Sequence, residues 1–294
     1  MVIKSFVSIL LLGIGFGSLQ VLAQEVPQPP SLPVQSPTAE LPRFEAGIGL
    51  GFFQLPDYPG AEQSSVRILP LPYMIYRGDV IRADRDGGVR SRFFSGEHIE
   101  VDLSVGAAFP VNGSDNRGRE GMPELDWMGE VGPRLVYQII KSSRHNLLFY
   151  LPLRYAFSTD FRGVDGRGFV FAPEFVYRKR SIFHRKMSTG LSLSFNWASE
   201  DLMDYFYEVE PQYAKADRPQ YDARSGYMMT NVSLFSAYVP NNKWLVFGAV
   251  SLNYYRDAKN DRSPLMLDNE TQSYIFGVVW KFYESKQQAV LGSL

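Results

Sequence analysis

The chain has 294 residues, with 30 Lys and Arg against 31 Asp and Glu, no Cys, three His, 45% hydrophobic residues and 14% aromatics. A formal charge of −1 argues against a nucleic-acid binder, and the lack of Cys excludes disulfides, thiolate metal sites and a cysteine nucleophile. The mean hydropathy of −0.16 has the value of a soluble protein, but a transmembrane β-barrel hides its apolar half by alternation and also averages near zero.

Residues 1–23 read as a secretory signal peptide. Lys4 supplies the charged start, Ile9 to Leu12 with Ile14 and Phe16 the apolar stretch, and Val21-Leu22-Ala23 a cleavage site before Gln24. An uncleaved anchor helix is the weaker alternative, because the stretch is short and broken by glycines. With no Cys to acylate, the expectation is an exported protein of a Gram-negative envelope that is not a lipoprotein. Residues 24–42 carry Pro27, Pro29, Pro30, Pro33, Pro37 and Pro42. Such a segment builds no core and is expected to be an extended periplasmic linker, spanning on the order of 60 Å at about 3.1 Å per residue.

From residue 43 onward the period is two. Ala46, Ile48, Leu50 and Phe52 alternate with Glu45, Gly47, Gly49 and Gly51; Ile99, Val101, Leu103, Val105 and Ala107 with Glu100, Asp102, Ser104 and Gly106. Phe169, Phe171, Phe175 and Tyr177 stand against Ala172 and Glu174, and Leu191, Leu193, Phe195 and Trp197 against Ser192, Ser194 and Asn196. The runs have the roughly ten-residue length of a tilted membrane strand. A soluble sandwich alternates too, but one face here is bulky and apolar while the other is Gly, Ser and charge. Aromatics also gather at strand ends, among them Phe52, Phe53, Trp127, Trp197, Tyr227, Trp244 and Phe282, as interfacial girdles require.

Strands are expected near 43–54, 65–76, 79–85, 88–94, 99–109, 127–139, 146–157, 168–178, 186–197, 226–238, 244–256 and 272–282. Long connections (about 55–64, 110–126, 158–167, 199–225, 257–271) alternate with short ones, which in outer-membrane barrels face the periplasm. The fold class is therefore an all-β, transmembrane antiparallel β-barrel of ten to twelve strands, with outer-membrane lipid as its solvent. Twelve is preferred; ten results if the charged hairpin around Asp86-Gly87-Gly88 folds into the lumen. Pro70 and Pro72 predict a bulge or a locally distorted strand. Ser199-Glu200-Asp201-Leu202 predicts a capped helix start.

The most specific text follows the first strand. Asp57-Tyr58-Pro59-Gly60 precedes Leu69-Pro70-Leu71-Pro72-Tyr73 and then Ala83-Asp84-Arg85-Asp86-Gly87; Tyr221-Asp222-Ala223 and Ser263-Pro264-Leu265 come later. In these residues, and over roughly 43–282, the chain resembles the MipA/OmpV family of outer-membrane barrels. That resemblance implies a non-catalytic scaffold linking a membrane-bound lytic transglycosylase to a bifunctional penicillin-binding protein in murein synthesis. Other members are described as osmotically responsive. The resemblance supplies no catalytic residues and no cofactor. It also implies a chain ending on the aromatic residue of the last strand, whereas here Phe282 is followed by residues 283–294, a C-terminal extension.

Candidate residues fall in two groups. Glu45, Glu100, Asp102, Glu130, Arg134, Arg154 and Glu174 take lumen-facing parity, joined by Arg82, Asp84, Arg85, Asp86, Arg90 and Arg92. They are either a selectivity constriction or, as the similar number of each sign favours, a plug of paired charges. Arg178, Lys179, Arg180, Arg185 and Lys186, with His184, crowd one periplasmic turn, beside Lys141, Arg144 and His145 on another. They form either a docking face for an anionic partner or a solvated membrane flank. The three His lie in short turns, away from the place where a Ser–His lipid hydrolase would work, and the loop carboxylates (Glu200 and Asp201, Glu208 and Glu210) lack a calcium-loop pattern. No enzyme, metal or cofactor is expected. A narrow solute channel is the rival function, and an adhesin acting through loop 199–225 a third.

Overall fold

In a computed structural model the described residues are 20–21, 24–25, 41–77, 81–84, 88–91, 94–95, 98–113, 116–142 and 144–289, with backbone alone for 20–41, 76–97 and 288–289. The expected leader and linker lie outside the described residues, apart from two-residue pairings of Gln20–Val21 with Gln24–Glu25 and of Leu41–Pro42 with Gln288–Ala289. The side chains of the charged stretch 82–92 lie outside them as well.

Fourteen strands form one antiparallel sheet. In chain order they are β1 (Phe44–Pro56), β2 (Ser64–Arg77), β3 (Ile81–Asp84), β4 (Gly88–Ser91), β5 (Phe94–Ser95), β6 (Ile99–Ala108), β7 (Trp127–Lys141), β8 (His145–Thr159), β9 (Val164–Phe171), β10 (Glu174–Arg180), β11 (Met187–Ala198), β12 (Gly226–Asn241), β13 (Trp244–Tyr254) and β14 (Glu270–Glu284). Apart from β4 with β5 and β9 with β10, each pairs with its predecessor and successor, and β14 pairs with β1, from Tyr274↔Gln54 to Glu284↔Glu45. Two strand positions are interrupted. β9 and β10 both lie between β8 and β11, separated by Ala172 and Pro173, whose missing N–H breaks the ladder. β4 and β5 end the pairing path on its two sides and are two residues apart in the chain. The pairing is otherwise continuous from β5 round through β14 and β1 to β4, as expected of an antiparallel β-barrel.

Two expectations need correction. Connection 158–167 is a tight turn, because β8 runs to Thr159 and β9 starts at Val164. There the Asp160 carboxylate accepts from Arg162 N (2.8 Å) and Gly163 N (3.0 Å), donors that hold it below the usual Asp range. The second correction concerns Pro70 and Pro72, which make no bulge. They sit opposite Leu50 and Ile48 in unbroken register, so their donor-less nitrogens point away from β1, toward β3. β3 reaches β2 only at Tyr76 and Arg77.

The alternation places a greasy belt outside. Ile48, Leu50, Val66, Ile68, Leu153, Phe169, Leu191, Leu234 and Phe276 are all exposed, as lipid-facing positions are. A girdle rims the long-loop end, where Phe109, Trp127 and Phe161 meet in sequence, as do Phe171, Trp197 and Tyr227, with ring centroids 5.6–6.1 Å apart. Phe53, expected in a girdle, is instead buried inside, edge-on to Phe109. Nor is the inner face only small and ionic. Ile75, Val176, Phe235, Leu245, Phe247, Ile275 and Val279 are buried there. Phe235 and Phe247 fit because their rings lie on Gly190 and Gly277 of the adjoining strands.

Candidate functional site

The interior is filled in layers. Near the short turns, the apolar side chains just named pack across the barrel. Level with and above them, charge is paired. Asp102 accepts from Arg134 Nε and Nη2 at 2.9 and 2.7 Å, and the guanidinium lies 4.6 Å from the Tyr150 ring centre. Arg154 pairs with Glu130 and reaches Ser104 Oγ at 3.4 Å. Lys281 Nζ and Tyr73 Oη both donate to Glu45 Oε2 at 3.2 Å. Of the seven expected lumen residues, Glu45, Asp102, Glu130, Arg134, Arg154 and Glu174 are buried and Glu100 is half-buried. The opposite wall is neutral: Asn231 donates to Asn253 (2.6 Å), Ser233 to Ser251 (2.8 Å) and Asn253 to Thr271 (3.2 Å). Every group named here is less than a tenth exposed apart from Glu100.

The long-loop mouth is capped by its own loops. Helix α1 (Glu200–Tyr207) starts where Ser199 predicted, but Ser199 Oγ makes no capping bond and instead accepts from Phe169 N at 2.9 Å, tying the helix to β9. Leu202, Met203, Phe206 and Tyr207 are buried. Arg119 donates to Phe206 O (3.0 Å), and Arg218 to Gly118 O (2.9 Å) and Glu120 O (3.1 Å), so loops 109–126 and 199–225 hold each other's carbonyls. Burial pushes Tyr255 up to about 12 and Tyr207 well above the ordinary phenol range. Tyr58 is also pushed up to about 12 by burial, against the nearby Arg119 charge. Loop 199–225 therefore packs over the mouth through α1 and Arg218, while most of residues 210–220 stand exposed.

The two ends differ in charge. The described loop residues of 57–63, 109–126, 160–163, 199–225 and 255–269 hold sixteen carboxylates and nine Lys or Arg. Around the short turns stand nine outward cations (Arg43, Lys141, Arg144, Lys179, Arg180, Arg185, Lys186, Lys243 and Lys286), with Glu284, which pairs with Lys281, the one exposed acid there among the described residues. Arg178, expected on this face, is inside: it is 6% exposed and shares the inward parity of Glu174. The same parity identifies Lys281 as a lumen residue that the sequence reading passed over, since it follows Ser273, Ile275 and Val279 on the inner face of β14.

The family model described as "MltA-interacting protein MipA" matches residues 48–282. The chain belongs to the MipA family. No curated relative matches it. Among solved structures, the MipA-family chain is similar to an outer-membrane channel from Pseudomonas putida F1 (12% identity, covering 85% of this chain and 100% of that one, TM-score 0.43). It is also similar to a bacterial polysaccharide outer membrane secretin (9%, 81% and 99%, TM-score 0.41) and to the CymD monoaromatic hydrocarbon channel (9%, 93% and 99%, TM-score 0.35). At these values none bears on what the MipA-family barrel does.

Half of the residues that carried the resemblance, 57–60, 221–223 and 263–265, lie in the cap. Tyr58 Oη donates to Leu265 O (3.0 Å), Asp57 accepts from Asn116 (2.8 Å) and from Ser65, and Gly60 O accepts from Leu267 N (2.9 Å) and Asp268 N (3.0 Å). Tyr221 Oη donates to Asn260 Oδ1 (3.2 Å), whose Nδ2 donates to Arg224 O (2.9 Å). In this MipA-family barrel the motif text encodes the closure of the mouth. Among the described residues, no group of three or more His, Asp or Glu is placed to hold a metal. His145 and His184 lie at the short turns, against Tyr177 and Tyr238.

Proposed function

We propose that the chain is a non-conducting, non-catalytic outer-membrane scaffold that acts through its end faces, bringing a membrane-bound lytic transglycosylase and a penicillin-binding protein together at the murein. The single observation that carries this reading is the double seal: an apolar and ion-paired interior beneath a cap stitched from three or more loops. A barrel filled in this way would work through its surfaces. The MipA description supports the choice of partner, and the cation-rich short-turn rim supports docking from the periplasm through long-range attraction.

Bilayer recordings on the purified barrel and a crosslinking pull-down from envelopes test the reading together. The expected outcome is no steady conductance, together with recovery of the transglycosylase that is lost when Lys179, Arg180, Arg185 and Lys186 are reversed to Glu. Steady conductance that responds to Glu130→Gln would instead establish a solute channel.

A further inference from the structure

Four cations on the described strands are buried in the lumen, and three have a carboxylate: Arg134 has Asp102, Arg154 has Glu130 and Lys281 has Glu45. Among the described residues Arg178 has none. Its one hydrogen bond to a described residue is a long one, Nη2 to Tyr150 Oη at 3.4 Å, and its Nε has no partner there. Ser188 Oγ, also buried, is likewise without a partner. The register Arg178↔Gly190 and Arg180↔Ser188 makes the two diagonal neighbours on the inner face of β10 and β11, one pleat inside the short-turn rim. A guanidinium taken out of water without a counter-charge is among the costliest arrangements a fold can hold. Here it lies beside a second unmet donor, at the mouth ringed by the excess of cations. What both groups lack is an acceptor.

We infer that the short-turn mouth is a binding site for an acidic segment of a partner protein, with one carboxylate seated between Arg178 and Ser188. A lipid phosphate in the leaflet has no access to an inward-facing side chain. A small free anion would need only Arg178 and Ser188, whereas an extended acidic segment also meets Lys179, Arg180, Arg185 and Lys186 around the mouth, with Ile182 exposed on the same turn; Phe183 lies instead along the outer wall with Leu234, Val250 and Phe276. The inference deepens the docking reading above by assigning the partner's chemistry and the residue that anchors it.

The test uses the full chain in zwitterionic nanodiscs at low salt, titrated with a synthetic Glu/Leu peptide and, separately, with inorganic phosphate. Saturable peptide binding is expected, weakened about 30-fold or more by Arg178→Met, which removes one partner of a buried charge pair, and partly restored by Arg178→Lys. Without peptide, Arg178→Met is expected to leave thermal stability unchanged or raised, because it removes an unpaired charge. Peptide affinity untouched by Arg178→Met, or a free barrel destabilised by it, would show that the guanidinium is structural and overturn the site. Phosphate that displaces the peptide fully through Arg178 would reduce the site to a small-anion pocket and overturn the protein partner. Peptide binding without recovery of a murein enzyme from envelopes would overturn the scaffold reading and leave this site standing.

Discussion

Arg134 and Asp102 show how the interior is held. Two parallel bonds join them in a site that water does not reach. Asp102→Asn leaves the guanidinium uncompensated and is expected to cost about 3–5 kcal/mol. The double change Asp102→Leu with Arg134→Met is expected to be nearly neutral, as read by urea unfolding in micelles. Between this pair and Arg154–Glu130 lies Gly132, where a Cβ would collide with the Leu153 carbonyl oxygen and the Arg154 backbone. Gly132→Ala is expected to lower stability by about 1–3 kcal/mol through forced separation of β7 and β8, measured in the same assay. The inward set of charges was legible because parity alone assigns a side once a strand is recognised. Arg178 was missed for a local reason: a basic string running into a turn hides the point where the strand ends, and a side chain two residues before that point belongs to the lumen.

At the scale of elements, the strands were legible and the cap was not. Strands announce themselves by period two, whereas the loop residues that seal the mouth are joined across the chain, Tyr58 to Leu265 and Arg119 to Phe206, and carry no period. Tyr58→Phe removes a buried donor and is expected to cost on the order of 1 kcal/mol, read as faster amide exchange across 255–269. The cap also responds to pH. Asp204 is pushed up to about 6, chiefly by burial and then by the charges of Glu208, Glu200, Asp201 and Asp222. Its folded value lies above the unfolded one of about 3.9, so the folded cap binds the proton more tightly. Its contribution is full below about pH 4 and is lost as pH rises through about 6. Amide exchange in α1, corrected for its intrinsic pH dependence, is expected to be slower at about pH 5 than at about pH 8; equal protection would remove Asp204 from the account.

Over the whole molecule, a formal charge of −1 conceals a separation of sign, acidic at the long loops and basic at the short turns. Composition cannot register this, because it has no direction. The polarity gives a topological expectation: on intact cells, a membrane-impermeant amine reagent should modify Lys215 and Lys259 but spare Lys243 and Lys179, and the opposite result would invert the assigned orientation. Closure has an orientation of its own. The chain's first and last long strands meet in ten registered pairs, while Pro70 and Pro72 present two missing donors to the side where β3 contributes two pairs. Pulled apart mechanically, the cylinder is expected to unzip first beside the prolines, with the seam between its beginning and its end outlasting that tear.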